Sequence, residues 1–194
     1  MAISKVCIYC ASSRKADESY FSAAERLGRV LAKSGITIVY GAGSSGSMGR
    51  LADGALAEGG AVVGVIPGFM KELEWYHRGI GELIEVGDLH DRKRKLIEGA
   101  DAVVALPGGS GTLDELIEAI SLKRLGSFTG PIVMVNTNGF FDPCVELLER
   151  CIKQRFMHEK HREMWQVVDE PEQVIEAFGT APPWPGDAID FAAV

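Results

Sequence analysis

The sequence predicts an α/β protein: a doubly wound parallel sheet, Rossmann-like in its order of elements, with helices on both faces. Three observations carry that expectation. Short apolar runs alternate with stretches of helical period along most of the chain, the pattern of repeated strand–helix–strand units. Such units join parallel strands by right-handed crossovers, which places helices on both faces of the sheet. Glycine-rich turns stand at strand-to-helix junctions, over 41–49 and 107–111, where open α/β sheets bind ligands.

The elements follow in order. Residues 6–10 are a short apolar run, read as the first buried strand. Cys7 and Cys10 spell C-x-x-C there. A redox or metal pair needs both thiols at one turn, whereas strand residues three apart point to opposite faces. Two buried structural cysteines are expected. Ser12, Ser13 and Arg14 form the loop at the strand's C-terminal end. Residues 18–34 read as an amphipathic helix, with Phe21, Ala24, Leu27, Val30 and Leu31 on one face and Gly35 at its C-cap. A second strand is expected over 36–40, a helix over 48–58 and a third strand over 61–66.

The 41–49 loop contains a literal G-x-G-x-x-G between strand and helix. Two readings stand side by side: a second wall of a nucleotide pocket, or a tight turn with close helix–sheet packing. As a dinucleotide fingerprint it lacks the acidic residue that would hold a ribose diol, because the next strand ends at Pro67. The 67–81 stretch is a surface loop or a cover for a ligand, with Lys71, Glu72, Glu74, Trp75, His77 and Arg78. A fourth strand is expected over 82–86. Asp91 then reads as the N-cap of a helix running to about 98, which puts Arg92 and Lys93 in its first turn. Cations are disfavoured there, so a bound anion is one reason for their presence. His90 is either a ligand contact or a satisfied hydrogen-bonding residue.

Residues 102–106 are an apolar strand, followed by Pro107-Gly108-Gly109-Ser110-Gly111-Thr112 and a helix carrying Leu113, Leu116, Ile117 and Ile120. A glycine-rich turn at a helix N-terminus gathers free amides at the positive end of the macrodipole, which makes an anion site. Glu115 lies one turn in. Thr112-x-x-Glu115 also matches a capping box, which gives Glu115 a purely structural alternative. Asp114 points about 100° away from Glu115 on a helix, so a two-carboxylate glycosidase mechanism is not indicated. A strand follows over 131–135, a helix over 141–156 with Cys144 and Cys151 packing, a brief strand at 167–168 and a helix over 171–178. His158 and His161 read as surface residues rather than metal ligands. One Rossmann-like nucleotide-binding domain is expected over 1–180 and a loose C-terminal tail over 181–194, where Pro182, Pro183, Pro185 and Gly186 cluster.

Composition narrows the classes. The 194 residues suffice for one core, and the net charge of −7 argues against a nucleic-acid binder. No apolar run reaches membrane-span length. Residues 1–5 lead straight into the first strand, so no signal peptide is expected. With few cysteines, a cytoplasmic location and no membrane partner are expected.

The 107–115 stretch matches the PGGxGTxxE signature of the LONELY GUY family. Leu89-His90-Asp91-Arg92-Lys93 resembles that family's MHxRK element, and 41–49 and 59–67 resemble its N-terminal half. The resemblance spans roughly residues 6–178. Departures are Leu89 for Met, Ser110 where many members carry Tyr, Ala42 and Ser47 in the first glycine loop, and Leu122 where plant members have Trp. They leave the anion cradle intact and bear on the choice of base. Relatives have carried the label lysine decarboxylase, but no pyridoxal-phosphate motif is evident here.

The resemblance implies hydrolysis of the N-glycosidic bond of nucleoside 5′-monophosphates, of the cytokinin-activating type, to free base and ribose 5-phosphate. It implies Arg92 and Glu115 as catalytic residues. It implies substrate contacts from Glu74, Arg92, Lys93, Gly108, Gly109, Ser110, Gly111, Thr112, Leu113, Asp114, Glu115 and Ser121. No metal and no cofactor are expected, and a homodimer is. Two other readings are a non-catalytic nucleotide-binding module, with Glu115 only a cap, and an NAD-linked oxidoreductase using the 41–46 turn.

Overall fold

The computed structural model describes residues 2–73 and 75–191. Strands β1 (Lys5–Tyr9), β2 (Thr37–Tyr40), β3 (Val62–Pro67), β4 (Glu82–Val86), β5 (Ala102–Ala105), β6 (Ile132–Val135) and β7 (Gln166–Val168) form one sheet in the order β4-β3-β2-β1-β5-β6-β7. Every pairing is parallel. The helices are α1 (Glu18–Lys33), α2 (Gly46–Ala57), α3 (Gly68–Glu72), α4 (Leu89–Ile97), α5 (Ser110–Arg124), α6 (Asp142–Lys153) and α7 (Val174–Thr180). The Rossmann-like doubly wound sheet is the expected one.

The burial pattern explains why the strands read as they do. All residues of β5 and β6 are buried, so these strands are apolar without alternation, as strands covered on both faces must be. The edge strand β4 exposes Glu82 and Glu85 instead, and no residue of the edge strand β7 is fully buried. Alternate residues of the central strands feed two cores. Ile8, Ile38 and Val104 pack with Leu27 and Leu31 of α1, Leu51 of α2 and Val174 of α7. Cys7, Val39 and Val103 pack with Leu96 of α4, Leu116 of α5 and Leu148 of α6. Cys7 and Cys10 therefore face opposite cores as free, buried thiols, and burial pushes both thiol pKa values far up.

Strand order sets the site. The chain walks outward from β1 to β4, then returns to lay β5 on the other side of β1. The topological switch point is thus the β1/β5 crevice, at the C-terminal strand ends. The loop after β1 and the glycine-rich loop after β5 flank it.

Two expectations are corrected. The stretch 181–191 is not a loose tail. Trp184 is 5% exposed, its indole N–H donates to the Lys123 carbonyl at 2.6 Å, and Ala188 is fully buried. Lys123 and Lys160 each place Nζ 5.9 Å from the Trp184 ring centre. The apolar area and the satisfied indole outweigh the local preference of a proline-rich stretch for disorder. Replacing Trp184 by Ala is expected to cost about 3–5 kcal/mol, read as a lower urea midpoint. His161, expected at the surface, is fully buried. Its Nδ1 accepts from the His158 amide at 3.0 Å, and burial with nearby Arg124 and His158 pushes its pKa down to about 4.

Candidate active site

The structure decides what the helix starts do. Asp88, not Asp91, caps α4: its side chain accepts from the Asp91 amide at 2.8 Å. The helix begins at Leu89, so Arg92 sits beyond its first turn rather than in it. The adjacent cations then part company, since successive helix residues diverge by about 100°. Arg92 turns to the strand ends. Its Nη2 donates to the Gly41 carbonyl at 2.8 Å and its Nε to the Val65 carbonyl at 3.2 Å. Lys93 turns to α5, where Nζ pairs with Asp114 at 3.1 Å and Glu118 at 2.5 Å. These partners push its pKa up. His90 is exposed in the first turn.

The second start concerns α5. Its N-cap is Gly109, and no side chain caps it. The amides of Ser110, Gly111 and Thr112 have no acceptor within a helix that begins at Ser110. Ser110 and Gly111 are exposed, while Thr112 is 5% exposed. Thr112 tucks its side chain beneath Gly108, where any Cβ would collide with the Thr112 hydroxyl. The capping-box alternative fails, because Thr112 lies inside the helix and Glu115 is a turn further on. Glu115 is free for another role.

Glu115 is half-buried over the end of β1. Both it and Arg92 act on the Cys7 and Cys10 thiols there. Its carboxyl pKa is pushed up to about 7, chiefly by burial; Arg92 and Lys93 pull it down, and Asp114 and Glu118 push it up. A carboxyl that titrates near neutrality beside a cation in a crevice marks a functional site, suited to proton transfer.

The other residues named from sequence fall as follows. The Gly108–Thr112 backbone and Glu115 lie at the switch point, and Arg92 stands over the neighbouring β2 and β3 ends. Lys93 and Asp114 form the α4–α5 ion pair beside it. Leu113 is partly buried against the core, and its amide closes onto the Gly109 carbonyl at 3.0 Å. Ser121 is not brought in: it lies three turns along α5 from Ser110, roughly 16 Å of rise, and its Oγ donates to the Ile117 carbonyl at 2.8 Å. Glu74 lies outside the described residues. Sequence reasoning missed Gly41 and Val65 as the seat of Arg92, because a backbone carbonyl leaves no mark on residue type.

A parallel α/β sheet with an uncapped glycine-rich helix start and a protonatable carboxyl at its switch point defines a Rossmann-like protein with a candidate anion site beside an acid–base group. Comparison with known proteins then narrows the class. A family model described as "Possible lysine decarboxylase" matches residues 48–178. A probable cytokinin riboside 5′-monophosphate phosphoribohydrolase of Oryza sativa subsp. japonica is 37% identical, over 83% of this chain and 71% of its own length. A cytokinin riboside 5′-monophosphate phosphoribohydrolase of Arabidopsis thaliana is 31% identical, over 97% of this chain and 93% of its own. Among solved structures, the molybdenum cofactor carrier protein of Chlamydomonas reinhardtii superposes with a TM-score of 0.72 at 20% identity, covering 93% of this chain and 98% of that one, which establishes the fold. The chain belongs to the LONELY GUY family, whose family model carries the lysine decarboxylase description.

Proposed function

We propose that the protein hydrolyses the N-glycosidic bond of N6-substituted adenosine 5′-monophosphates, releasing the free base and ribose 5-phosphate; its relatives are named cytokinin riboside 5′-monophosphate phosphoribohydrolases. The observation that carries this reading is the uncapped α5 start set beside the raised carboxyl of Glu115. The amides of Gly109, Ser110, Gly111 and Thr112 take the 5′-phosphate. The Thr112 hydroxyl, turned under Gly108, shapes the loop. Phosphate binding remote from the reacting bond fixes the ribose over Glu115. As the C1′–N9 bond breaks, its electron pair leaves with the base and C1′ becomes oxocarbenium-like. The Glu115 carboxylate stabilises that charge and takes a proton from the attacking water as its oxygen bonds to C1′. The base takes up its proton from solvent. Arg92 orients the sugar and holds charge beside Glu115.

Neither Lys93, beside the site, nor the buried Lys123 offers the free amine through which a decarboxylase would bind its cofactor. Lys93 is locked to Asp114 and Glu118, and buried Lys123 donates to the Gly130 carbonyl at 2.7 Å.

Chromatography of the products from AMP and isopentenyladenosine monophosphate, with the matching nucleosides as controls, tests the proposal. Free base from the monophosphates but not the nucleosides is expected. Equal cleavage of the nucleosides would remove the role of the α5 start, and release from neither would leave a nucleotide-binding module.

A homodimer belongs to the same proposal. Ile117, Ser121 and Leu125 form an exposed stripe at helical spacing on α5, and Leu89 is exposed on α4. A facing copy covers that stripe and brings Ser121 to a substrate it does not reach within its own chain. Light scattering is expected to give a dimer for the wild type and a monomer for Ile117→Asp with Leu125→Asp. Placement in the cytoplasm rests on the free thiols; no helix among the described residues is long and apolar enough to cross a membrane.

A further inference from the structure

The G-x-G-x-x-G loop has no part in the mechanism above, yet it is densely tied. We propose that it is a seat for Arg92, and that Gly41 is a positioning residue that fixes where the guanidinium stands over the substrate; this rests on the N-glycosidase reading.

Three successive carbonyls of the loop are occupied by donors of the protein itself. Gly41 accepts from Arg92 Nη2 at 2.8 Å, Ala42 from the His77 amide at 2.8 Å and Gly43 from the Tyr40 hydroxyl at 3.3 Å. Three of the loop's amides are spent likewise: Ser44 donates to the Trp75 carbonyl at 3.2 Å, Met48 to the Ala11 carbonyl at 3.0 Å and Gly49 to the Ser45 carbonyl at 3.1 Å. Groups satisfied in this way are not free to cradle a phosphate. Ala42 is fully buried and held at φ 63°, a left-handed conformation that a side chain disfavours. Such outliers persist where the surroundings over-determine them, often at functional sites.

The glycines of the loop differ in what they spare. A Cβ at position 46 would collide with the Ser13 carbonyl, and one at position 49 with the Ser44 carbonyl, both backbone. These two glycines serve the fold. A Cβ at Gly41 would collide with the Arg92 guanidinium and come within 3.0 Å of the Met48 methyl. Both are far ends of flexible side chains, and Gly41 is not among the residues at positive φ. Gly41→Ala therefore keeps the fold and moves the arginine.

The test is a double-mutant cycle of wild type, Gly41→Ala, Arg92→Ala and both, with isopentenyladenosine monophosphate as substrate and Gly43→Ala as a control. The three atoms nearest a Cβ at position 43 all belong to the Met48 side chain. Gly41→Ala is expected to lower kcat roughly 10- to 100-fold with KM little changed, because a misplacement near 1 Å has that effect and the phosphate loop is untouched. Added to Arg92→Ala it is expected to lower kcat no further.

A second readout needs no turnover: the titration of the Glu115 carboxyl by carbon-13 NMR. Glu115 is faced by Cys7, Tyr9 and Cys10 at the end of β1, by Arg92 and Lys93 of α4, and by Asp114 and Glu118 of its own helix. Of these only Arg92 is bonded to Gly41. Gly41→Ala and Arg92→Ala are both expected to move that titration to higher pH, and Gly43→Ala is not. Wild-type kcat in Gly41→Ala, an additive loss in the double variant, an equal loss in Gly43→Ala, or an unmoved titration in Gly41→Ala would each overturn the proposal. If the wild type releases no base, the N-glycosidase reading falls, and the titration still decides whether Gly41 seats Arg92.

Discussion

Glu115→Gln is expected to lower kcat by about 10²–10⁴-fold, the range that a positioned acid–base group contributes, while leaving the protein folded and more stable above neutral pH. Both halves come from one fact. Burial holds the Glu115 carboxyl at about 7, against an ordinary value of 4.5. The native state therefore binds a proton more readily than the unfolded chain. Its contribution to stability is full below the ordinary carboxyl range and is lost as pH rises through about 7. At pH 8 the wild type carries a half-buried charge that glutamine does not. The difference amounts to about 3 kcal/mol at most, at roughly 1.4 kcal/mol per pKa unit, and solvent reaching the half-buried group reduces it. Urea unfolding of both proteins at pH 5 and pH 8 is the measurement: glutamine gains stability only at the higher pH. In the wild type, kcat/KM is expected to rise as pH increases through about 7, as the carboxylate forms, and the variant's residual rate to be flat over that interval. A variant that keeps wild-type turnover would remove Glu115 from the chemistry.

Arg92→Met is expected to reduce kcat by about 10²–10³-fold, the loss typical of removing one preorganised charge from a transition state. It also removes the strongest of the charges that draw Glu115 down, so the acid limb of the remaining activity moves to higher pH. Arg92→Lys is expected to do little better. The guanidinium spans two carbonyls on adjacent strands, Gly41 of the β2 end and Val65 of β3, and a single ammonium lacks that planar fork. Steady-state kinetics from pH 5 to pH 9 distinguish the two effects. Recovery of wild-type kcat in the lysine variant would show that charge alone suffices.

Much of this was legible in residue order. The buried runs of β5 and β6, the amphipathic face of α1 and the two glycine-rich turns announce a parallel sheet with ligands at its strand ends. The site was half legible. The 107–115 stretch displays its glycines and Glu115, and 89–93 its paired cations. What residue order blurred was register at helix starts. Asp88 and Asp91 are equally good caps by type, and so are Gly109 and Thr112 once an acidic residue follows three positions later. A shift of two or three residues at α5 turns Glu115 from a cap into a free carboxyl.

The fate of the tail and of His161 was not legible at all. Trp184 finds the Lys123 carbonyl across sixty residues of chain, and no local pattern encodes so distant a partner. The sequence by itself determined the alternation of elements and the chemistry available at their junctions, because period and residue type act over a few residues. Only the tertiary structure decided which of those groups meet. Strand order put β5 beside β1 and so brought the α5 start to the crevice. Helix phase sent Arg92 to the Gly41 and Val65 carbonyls and Lys93 to α5. Burial, which belongs to no single residue, moved Glu115 into the range where a carboxyl exchanges protons at neutral pH.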